Sequence, residues 1–306
     1  MYDVIIIGGG PAGMAVALNT LRNGRTCLLL EKENFGGQMA TSPKLENIPG
    51  IKAISGTEYA DQMFDQITEM GADFELEEVE SIHKEEEKFI VKTNYNTYEA
   101  WTIVLANGCH HRKMNLPNED KLVGHGISYC AVCDGAFYKG QPTNIIGDAN
   151  TALQYALLLA NYCTEVNMFA LFDHLFADQI LIDRVMQHEK IHVRFNVSLQ
   201  EFIGDDELTG LRFFDKKEAK EFTVPATNVF VAIGQIPCNE PFKDLVELDS
   251  KGFVITNENM ETSCAGVYAV GDTRVKDIRQ VVTALGDASI ASVYINRYLQ
   301  SLNRNN

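Results

Sequence analysis

The stretch VIIIGGGPAG at residues 4–13 decides the fold of this chain. Four β-branched residues at 4–7 are typical of a buried parallel strand, and a glycine-rich turn of the form G-x-G-x-x-G follows at once. A helix from Met14 to Asn23 and a second strand from Thr26 to Leu30 come next, and that strand leads directly into Glu31. This order of strand, glycine turn, helix, strand and acidic residue predicts a dinucleotide-binding unit.

The positions within this turn have separate physical roles. Gly8 permits the tight turn, Gly10 lets the backbone approach a pyrophosphate, and Gly13 allows close packing of helix against strand. Glu31 can accept a hydrogen bond from a ribose hydroxyl. The alternative is a glycine-rich turn without a ligand, and the acidic residue at the appropriate distance argues against it.

A second unit with the same pattern begins at Thr143. Its parts are a strand at 143–146, the turn GDANTA at 147–152, a helix ending at Asn161, a strand at 166–169 and a closing strand at 229–234. The sequence therefore predicts an α/β fold with two Rossmann-like dinucleotide-binding domains.

Other segments complete the predicted pattern. They are loops at 36–38 and 46–50, a helix over 55–71, strands over 73–100 with a solvated hairpin tip at 85–87, strands at 101–108 and 266–272, and a last helix over about 280–299. Trp101, at the start of the predicted strand 101–108, is expected to be a packing residue.

Between the two glycine turns lies CAVCDG at residues 130–135. Cysteines three positions apart can close a small disulfide ring that opens by thiolate exchange, and Asp134 follows where it could give or take the proton. The alternatives are a zinc half-site and two unpaired core cysteines. Zinc would need further ligands, and the chain has no second C-x-x-C or H-x3–5-H pair, so no metal site is predicted. The place of this motif between two dinucleotide units favours redox chemistry.

Composition limits the remaining classes of function. A length of 306 residues suggests two domains at roughly 150 residues each. A formal net charge of -16 argues against binding to nucleic acid or to an anionic membrane. We expect no membrane span and no leader peptide, because no apolar run is long enough and the chain enters a strand directly. Seven cysteines, five of them scattered singly, are typical of a reducing cytoplasm.

Almost the whole chain resembles the small flavin-dependent thioredoxin reductases. The residues that carry this resemblance are Gly8 to Gly13, Gly37-Gln38, Asn47 with Pro49-Gly50, Cys130 to Gly135, Val231 to Gly234, Gly271-Asp272 and Arg279-Gln280. The resemblance implies an FAD-binding domain made from residues 1–112 and 244–306, with an NADPH-domain-like domain at 113–243 inserted between them. It also implies FAD as cofactor, thioredoxin as substrate and a homodimer.

Site residues follow from the resemblance position by position. Cys133 would be the thiol that faces the flavin, Cys130 the thiol that exchanges with thioredoxin, and Asp134 the acid/base. The FAD-binding residues would be Gly8, Gly10, Pro11, Ala12, Gly13, Glu31, Lys32, Gly37, Gln38, Asn47, Val79, Asn107, Gly108, Asp272, Arg279, Gln280 and Val281. Among them Glu31 and Lys32 would meet the adenosine end, and Asp272 would accept from the ribityl chain. Asn107 stands where the family has threonine in Ala-Thr-Gly.

The inserted domain departs from the family pattern. The family has G-x-G-x-x-A where this chain has Gly147-Asp148-Ala149-Asn150-Thr151-Ala152. Ala149 adds a methyl where backbone must touch pyrophosphate, and Asp148 adds negative charge. The family's His-Arg-Arg triplet and further Arg, which grip the 2′-phosphate of NADPH, read Ala170-Leu171-Phe172 and Phe176 here. Charge-assisted hydrogen bonds worth roughly 1.5–3 kcal/mol each are therefore missing.

A retained disulfide beside an altered NADPH site resembles the ferredoxin-dependent flavin thioredoxin reductase branch. The resemblance implies that reduced ferredoxin, or a flavodoxin in its place, donates the electrons. An acidic donor would need a local basic patch on this acidic chain. The candidates are His110-His111-Arg112-Lys113 and, second, Arg274 with Lys276.

Three other functions remain open from the sequence. One is a dithiol oxidase that passes electrons from the flavin to oxygen. Another is an NAD(P)H-dependent thioredoxin reductase with an atypical nucleotide site, and the third is a non-catalytic flavin-binding redox sensor. The intact set of Cys130, Cys133 and Asp134 argues against the sensor.

Overall fold

The computed structural model describes residues 1–42, 45 and 47–302, and it divides into two compact units. Unit 1 comprises Met1–His110 and Ile236–Asn306, and unit 2 comprises His111–Gln235. One unit is therefore inserted in the sequence of the other. The chain passes between them in two short strands, Cys109–His111 and Gln235–Pro237, which form a two-stranded sheet.

The strands in chain order are β1 (Tyr2–Ile7), β2 (Cys27–Glu31), β3 (Asp73–Leu76), β4 (Val79–Glu85), β5 (Lys88–Thr93), β6 (Thr97–Leu105), β7 (Cys109–His111), β8 (Ile127–Ser128), β9 (Pro142–Ile146), β10 (Glu165–Phe169), β11 (Ile191–Arg194), β12 (Val197–Gly204), β13 (Leu208–Asp215), β14 (Lys220–Pro225), β15 (Val229–Val231), β16 (Gln235–Pro237) and β17 (Val267–Ala269). The α-helices are α1 (Pro11–Arg22), α2 (Gly56–Glu69), α3 (Glu119–Leu122), α4 (Ala131–Asp134), α5 (Asn150–Leu159), α6 (Gln179–Met186) and α7 (Val281–Ser301).

Unit 1 is built on a sheet with the strand order β3-β2-β1-β6-β5-β4, and β17 also pairs with β6. Strands β1, β2, β3, β6 and β17 are parallel, whereas β4 and β5 add an antiparallel extension. Because successive side chains of a strand point to opposite faces, β1 contributes to two apolar clusters. Val4 and Ile6 pack with residues of α1 and α7, and Ile5 and Ile7 pack on the other face.

Two helix starts in unit 1 follow from local sequence. Pro11 occupies the first turn of α1, where its missing N–H costs no hydrogen bond. Gln280 caps α7, with its side chain and that of Thr283 forming a reciprocal capping box. Both starts lie directly after a segment predicted to contact the cofactor.

Unit 2 contains an all-parallel sheet with the strand order β11-β10-β9-β15-β8. Helix α5 covers one face through buried residues such as Leu153 and Ala156, which pack with Ile145 of β9. A separate antiparallel sheet, β12-β13-β14, packs in a second cluster that includes Phe202 and Phe213. The turns after β9 and β10 therefore meet at the carboxyl edge of the parallel sheet, where doubly wound folds bind ligands.

The predicted α/β class with two Rossmann-like units is confirmed, and most predicted elements lie within a few residues of their observed bounds. The hairpin tip at 85–87 is also confirmed, since β4 ends at Glu85 and β5 begins at Lys88. The strand predicted to begin at Trp101 is wrong, because β6 runs without a break from Thr97 to Leu105. Trp101 packs against the core of unit 1, as expected.

The predicted domain limits at 112/113 and 243/244 remain predictions, and the compact units divide somewhat earlier in the chain at both crossings. At the second crossing, Asn239 already belongs to unit 1. Its amide donates to the carbonyl oxygens of Gly252 and Thr273 at 2.9 and 3.0 Å. Glu46, the first residue of the predicted loop at 46–50, lies outside the described residues.

Within the part of the chain that the structure describes, no helix combines the length and apolar character needed to cross a bilayer.

Candidate functional site

The redox turn of unit 2 is a disulfide closed over a single helical turn. Cys130 and Cys133 are bonded, with their Cα atoms 5.3 Å apart. Cys130 precedes the short helix α4, and its sulfur accepts the N–H of Cys133 at 3.2 Å. Both cysteines are half-buried, while Val132 between them is 46% exposed. The disulfide therefore lies in a partly exposed turn of unit 2.

Asp134 is held beside this disulfide by one hydroxyl group. The hydroxyl of Ser128 donates to Oδ2 of Asp134 at 2.6 Å, and Oδ1 is buried with no partner among the described residues. Burial raises the pKa of Asp134, and the hydrogen bond from Ser128 opposes that rise. A carboxyl group in this setting can hold a proton at a higher pH than an exposed one.

Tyr129 anchors the residue before Cys130. Its hydroxyl donates to the buried carboxylate of Glu119 at 2.7 Å, and its ring stacks on His111 with ring centroids 5.1 Å apart. Glu119 also accepts the N–H of Met114 at 2.9 Å. These contacts fix the chain at the entry to the redox turn.

In unit 1 the glycine turn after β1 forms an open cradle. Gly10 caps α1 in an extended conformation, and a Cβ added there would meet only the Cα of Gly37, at 3.9 Å. Ala12 and Gly13 are buried in the first turn of α1, and Pro11 is half-buried. Backbone at Gly10 is thus accessible to a close ligand group such as a pyrophosphate.

Three further predicted residues gather around this turn. Oε2 of Glu31 accepts the N–H of Gly9 at 2.7 Å, and Oε1 accepts the N–H of Lys32 at 2.8 Å. Oε1 also accepts the N–H of Glu33 at 3.0 Å. A carboxylate has about four lone-pair sites, so one of them remains for a ribose hydroxyl. Gln38 follows Gly37, and its amide donates to the carbonyl oxygen of Cys109. The structure therefore brings Glu31, Gly37 and Gln38 to the end of the sheet where the glycine turn lies.

Asn107 takes part in a polar network inside unit 1. Its amide donates to the Cys238 carbonyl and to Oδ1 of Asn239, both at 2.9 Å, and its Oδ1 accepts from Thr273 at 3.2 Å. The Thr273 hydroxyl shares its one hydrogen with Oδ1 of Asn239, which lies closer, at 2.6 Å. Asn107 is therefore a structural link between the β6 and β17 ends, and its contact with FAD remains a prediction.

Asp272 presents an unsatisfied carboxyl oxygen next to this network. Its Oδ1 is buried, and no described residue hydrogen-bonds to it. Burial raises the pKa of Asp272 to about 6, and nearby Asp287 adds to the rise, whereas Lys276 and Arg279 oppose it. Buried polar groups in native proteins are rarely left unpaired, so an acceptor in this state indicates a missing donor.

Asp287 on α7 fixes the turn that carries Asp272. Oδ2 of Asp287 accepts the N–H of Gly271 at 3.0 Å and Nζ of Lys276 at 2.8 Å, and Oδ1 lies 3.5 Å from the guanidinium of Arg274. The side chains of these three charged residues are largely buried.

The remaining predicted FAD residues occupy different surroundings. Arg279 places its guanidinium 4.3 Å from the ring centre of Phe253, and its buried Nε has no partner within the described chain. Gln280 and Val281 begin α7. The others are Lys32 and Asn47, which are exposed, Gly108, which has a φ of 63°, and Val79, which is buried at the start of β4.

The second glycine turn, after β9, is tied to the loop that follows β10. The N–H of Phe176 donates to the Asp148 carbonyl at 2.7 Å. The side chain of Asn150 exchanges hydrogen bonds with Asp178, at 2.8 Å to its N–H and 3.1 Å to its carboxylate. Burial also raises the pKa of Asp148. At this edge the side chain of Asn150 is thus already hydrogen-bonded within the protein, and Asp148 contributes a carboxyl group where a phosphate would lie.

Aromatic side chains are exposed in the loop that follows β10. Phe172 and Phe176 are 44% and 53% exposed, and their rings meet edge to face at 5.2 Å. The ring of His174 lies 4.3 Å from Phe176, and Lys216 extends its ammonium group over Phe172 at 5.5 Å. The side chains exposed in this cluster are therefore mainly aromatic, with the ammonium group of Lys216 and the ring of His174 beside them.

The two candidate basic patches differ in accessibility. Arg274 with Lys276 is wrong as a free basic patch, because both side chains are largely buried and both pair with the one carboxylate of Asp287. In the segment 110–113, Arg112 is exposed and Lys113 pairs with Asp120 at 2.6 Å on the surface. Of the two candidates, the segment 110–113 remains accessible.

Sequence reasoning missed Ser128, Asp287 and the Asn239–Thr273 pair. None of them belongs to a periodic pattern or a motif of fixed spacing considered above. Ser128 lies only two residues before Cys130, which is the one signal that could have identified it. The five cysteines outside the redox turn, all of them described, are free.

Comparison with known proteins adds four findings. A family model described as pyridine nucleotide-disulphide oxidoreductase matches residues 2–288. Thioredoxin reductase of Listeria monocytogenes is 36% identical over 303 residues, covering 99% of this chain and 95% of the relative. A Clostridium pasteurianum protein named for its place in a rubredoxin operon is 33% identical over 298 residues, covering 97% of both chains. The crystal structure of thioredoxin reductase from Streptococcus pyogenes has a TM-score of 0.94 at 34% identity, covering 98% of this chain and 99% of that one.

Proposed function

We propose a function for a chain that belongs to the pyridine nucleotide-disulphide oxidoreductase family: it is an FAD-dependent oxidoreductase that reduces thioredoxin through Cys130 and Cys133. The similarity to thioredoxin reductases extends over nearly the whole chain. The partial exposure of Cys130 and Cys133 supports the same function, because a partner's disulfide must reach one of these sulfurs.

The residues of unit 1 fit FAD. The open backbone at Gly10 suits a pyrophosphate, and Glu31 lies beside the same turn for the adenosine end. The buried, unpartnered Oδ1 of Asp272 suits a hydroxyl donor of the ribityl chain, and the buried Nε of Arg279 likewise has a free donor. FAD in this place would supply chemistry that accepts electrons singly and delivers them in pairs.

The protein's own residues would carry the disulfide exchange. Cys130 would attack the disulfide of thioredoxin as a thiolate, and Cys133 would then displace thioredoxin by closing the Cys130–Cys133 bond. Asp134 would supply and recover the proton that each departing sulfur requires, because it follows Cys133 directly, its Oδ1 is buried and its pKa is raised.

We further propose that the electron donor is a reduced ferredoxin, or a flavodoxin in its place, rather than NADPH. The observation that carries this proposal is the second glycine turn. Asp148 adds a carboxylate to it, the loop after β10 is hydrogen-bonded across it, and exposed phenylalanines replace cations there.

The same proposal places the protein in the cytoplasm as a homodimer. The five free cysteines support a reducing compartment.

Steady-state reduction of thioredoxin tests this function. With a system that keeps ferredoxin reduced, the holoprotein should turn over thioredoxin, and Cys130→Ser and Cys133→Ser should both abolish turnover while retaining FAD. Cys133→Ser should also accumulate a mixed disulfide between Cys130 and thioredoxin on a non-reducing gel, and Cys130→Ser should not. Absence of turnover with every low-potential one-electron donor would exclude the donor proposal, and activity in either cysteine variant would exclude the disulfide route.

A further inference from the structure

Ser128 joins the two chemical parts of the redox turn through a single hydroxyl. It is the last residue of β8, is only 6% exposed, and pairs in parallel register with Phe230 of β15. Its Oγ donates to Oδ2 of Asp134 at 2.6 Å and accepts the N–H of Cys130 at 3.1 Å. The Cys130 carbonyl lies farther from Oγ, at 3.5 Å, so the one hydroxyl proton is committed to Asp134.

The other oxygen of Asp134 is left for chemistry. Oδ1 is buried and has no hydrogen-bond partner among the residues that the structure describes. Burial and the Ser128 bond are the two influences on the pKa of Asp134, and they act in opposite directions. The titratable groups that face it from neighbouring elements are Tyr138 and Tyr155, and burial raises the pKa of both, so they stay neutral.

We propose that Ser128 is a positioning residue for the disulfide reaction: its hydroxyl holds Oδ2 of Asp134 against the backbone of Cys130, so that Oδ1 is presented to a departing sulfur. This inference rests on the function proposed above. An incoming nucleophile bonds to one sulfur of the disulfide, the Cys130–Cys133 bond breaks, and the displaced sulfur leaves as a thiolate with the electron pair. Protonated Asp134 transfers its proton to that thiolate and becomes a carboxylate, which the Ser128 hydroxyl then stabilises.

The pH dependence of disulfide opening distinguishes a positioning role of Ser128 from a purely structural role in β8. A supporting residue would affect folding and disulfide opening equally at every pH. A positioning residue changes the pH at which Asp134 can act, because the hydroxyl favours the ionised carboxylate. Loss of that hydroxyl should therefore shift the titration of Asp134 to higher pH.

Opening of the disulfide in the holoprotein by tris(2-carboxyethyl)phosphine provides the test. The rate is followed across acidic and neutral pH by quenching, alkylation and mass measurement of the two cysteines. The rate of each variant is divided by the rate of Asp134→Asn at the same pH. This ratio cancels the titration of the phosphine, because both rates contain it. We expect Ser128→Ala to raise the pH midpoint by about one unit or more, as for loss of a charge-assisted hydrogen bond. Ser128→Thr, which keeps the hydroxyl, should restore the midpoint.

The double variant Ser128→Ala with Asp134→Asn is the matched control. It should behave as Asp134→Asn alone, because Ser128 acts through the carboxyl group. An unchanged midpoint in Ser128→Ala, or an equal effect of Ser128→Ala in the presence and absence of Asp134, would overturn the inference. FAD content and thermal melting identify a variant that has failed to fold. If Ser128→Ala fails in this way, Ser128→Thr is the test: retention of the wild-type midpoint supports the inference, and loss of it overturns the inference.

Because the phosphine assay uses no thioredoxin and no electron donor, failure of the inference is distinct from failure of the proposed function. A wild-type disulfide that the phosphine opens with the same midpoint as Ser128→Ala removes the role of Ser128 alone. A wild-type disulfide that opens normally but never exchanges with thioredoxin removes the proposed function, and with it the partner reaction that this positioning would serve.

Discussion

The turn at 8–13 in unit 1 and the turn at 147–152 in unit 2 each follow a strand that pairs in parallel with both of its neighbours. Each follows a central strand, β1 or β9, and each leads into a helix. Gly8 and Gly147 both have positive φ, 110° and 149°, and a Cβ at either would overlap a carbonyl oxygen, that of Ala106 or Ala232. The scaffold of the turn is therefore the same in both units.

The two turns differ at the positions that would touch a ligand. Gly10 leaves open backbone in unit 1, whereas the corresponding Ala149 carries an exposed methyl group in unit 2. At the end of β2 the chain offers the carboxylate of Glu31, and after β10 it offers Leu171 and Phe172, which are exposed. A strand–turn–helix unit can thus keep its packing while its binding chemistry is changed by a few side chains.

Exchanging the two turn residues should give the largest effect. Gly10→Ala has room to fold, because its Cβ would meet only the Cα of Gly37, but the methyl would stand where pyrophosphate must approach. We expect the flavin-to-protein ratio after purification to fall by about tenfold or more. Ala149→Gly, the matched change in unit 2, should leave the ratio unchanged. Equal FAD content in Gly10→Ala and wild type would remove the assignment of this turn.

Rebuilding the second turn should restore part of a nucleotide site. Asp148→Gly, Ala149→Gly, Leu171→Arg and Phe172→Arg together remove a charge and a methyl group and add two guanidinium groups. Each guanidinium–phosphate contact is worth roughly 1.5–3 kcal/mol, so NADPH should bind about a hundredfold or more tighter than to a control with glutamines at 171 and 172. Calorimetric titration measures this difference.

The rebuilt site has an internal check. NADH lacks the 2′-phosphate, so the arginine and glutamine variants should bind it with similar affinity. If arginine and glutamine variants bind NADPH equally, the altered side chains are not what separates the two turns.

A smaller effect is expected from the titration of Asp272 in unit 1, which should make FAD binding depend on pH. Burial raises the pKa of this carboxyl group to about 6, and a hydroxyl donor from the ribityl chain would favour the ionised form. We therefore expect FAD to stay bound at pH values above this pKa. Below it, the affinity for FAD should decrease with falling pH, by up to about tenfold per pH unit. Release on dilution, followed by flavin fluorescence, reports the slope.

Asp272→Asn is the control for this slope. It should bind FAD more weakly near neutral pH and lose the pH dependence, with circular dichroism confirming that the fold persists over the same range. A slope that survives in Asp272→Asn would assign it to another group.

Much of this comparison could be predicted from sequence, since both glycine turns depend on short contiguous patterns. The run at 4–7 and the turn after it specify β1 and α1, and the repeat at 143–152 specifies β9 and α5. Local motifs identify such elements because strand and turn propensities act over a few residues.

The contacts made across long separations could not be predicted. Arg274 and Lys276 were predicted to form a basic cluster. In the structure both pair with Asp287, a buried residue of α7. Asn107 joins Asn239 and Thr273, residues more than a hundred positions away in the chain. The antiparallel sheet of β12, β13 and β14 has register shifts near Leu199 and Ile203, which break the two-residue period on which strand prediction relies.

Anaerobic mixing of the oxidised FAD-containing protein with NADPH, NADH or reduced ferredoxin tests the difference between the two turns most directly. Flavin absorbance is followed after each addition. Reduced ferredoxin should bleach the flavin and deliver about four electrons per chain, two for the flavin and two for the Cys130–Cys133 disulfide. Micromolar NADPH and NADH should leave the flavin oxidised. Rapid bleaching by micromolar NADPH would show that the second turn still serves a nicotinamide nucleotide.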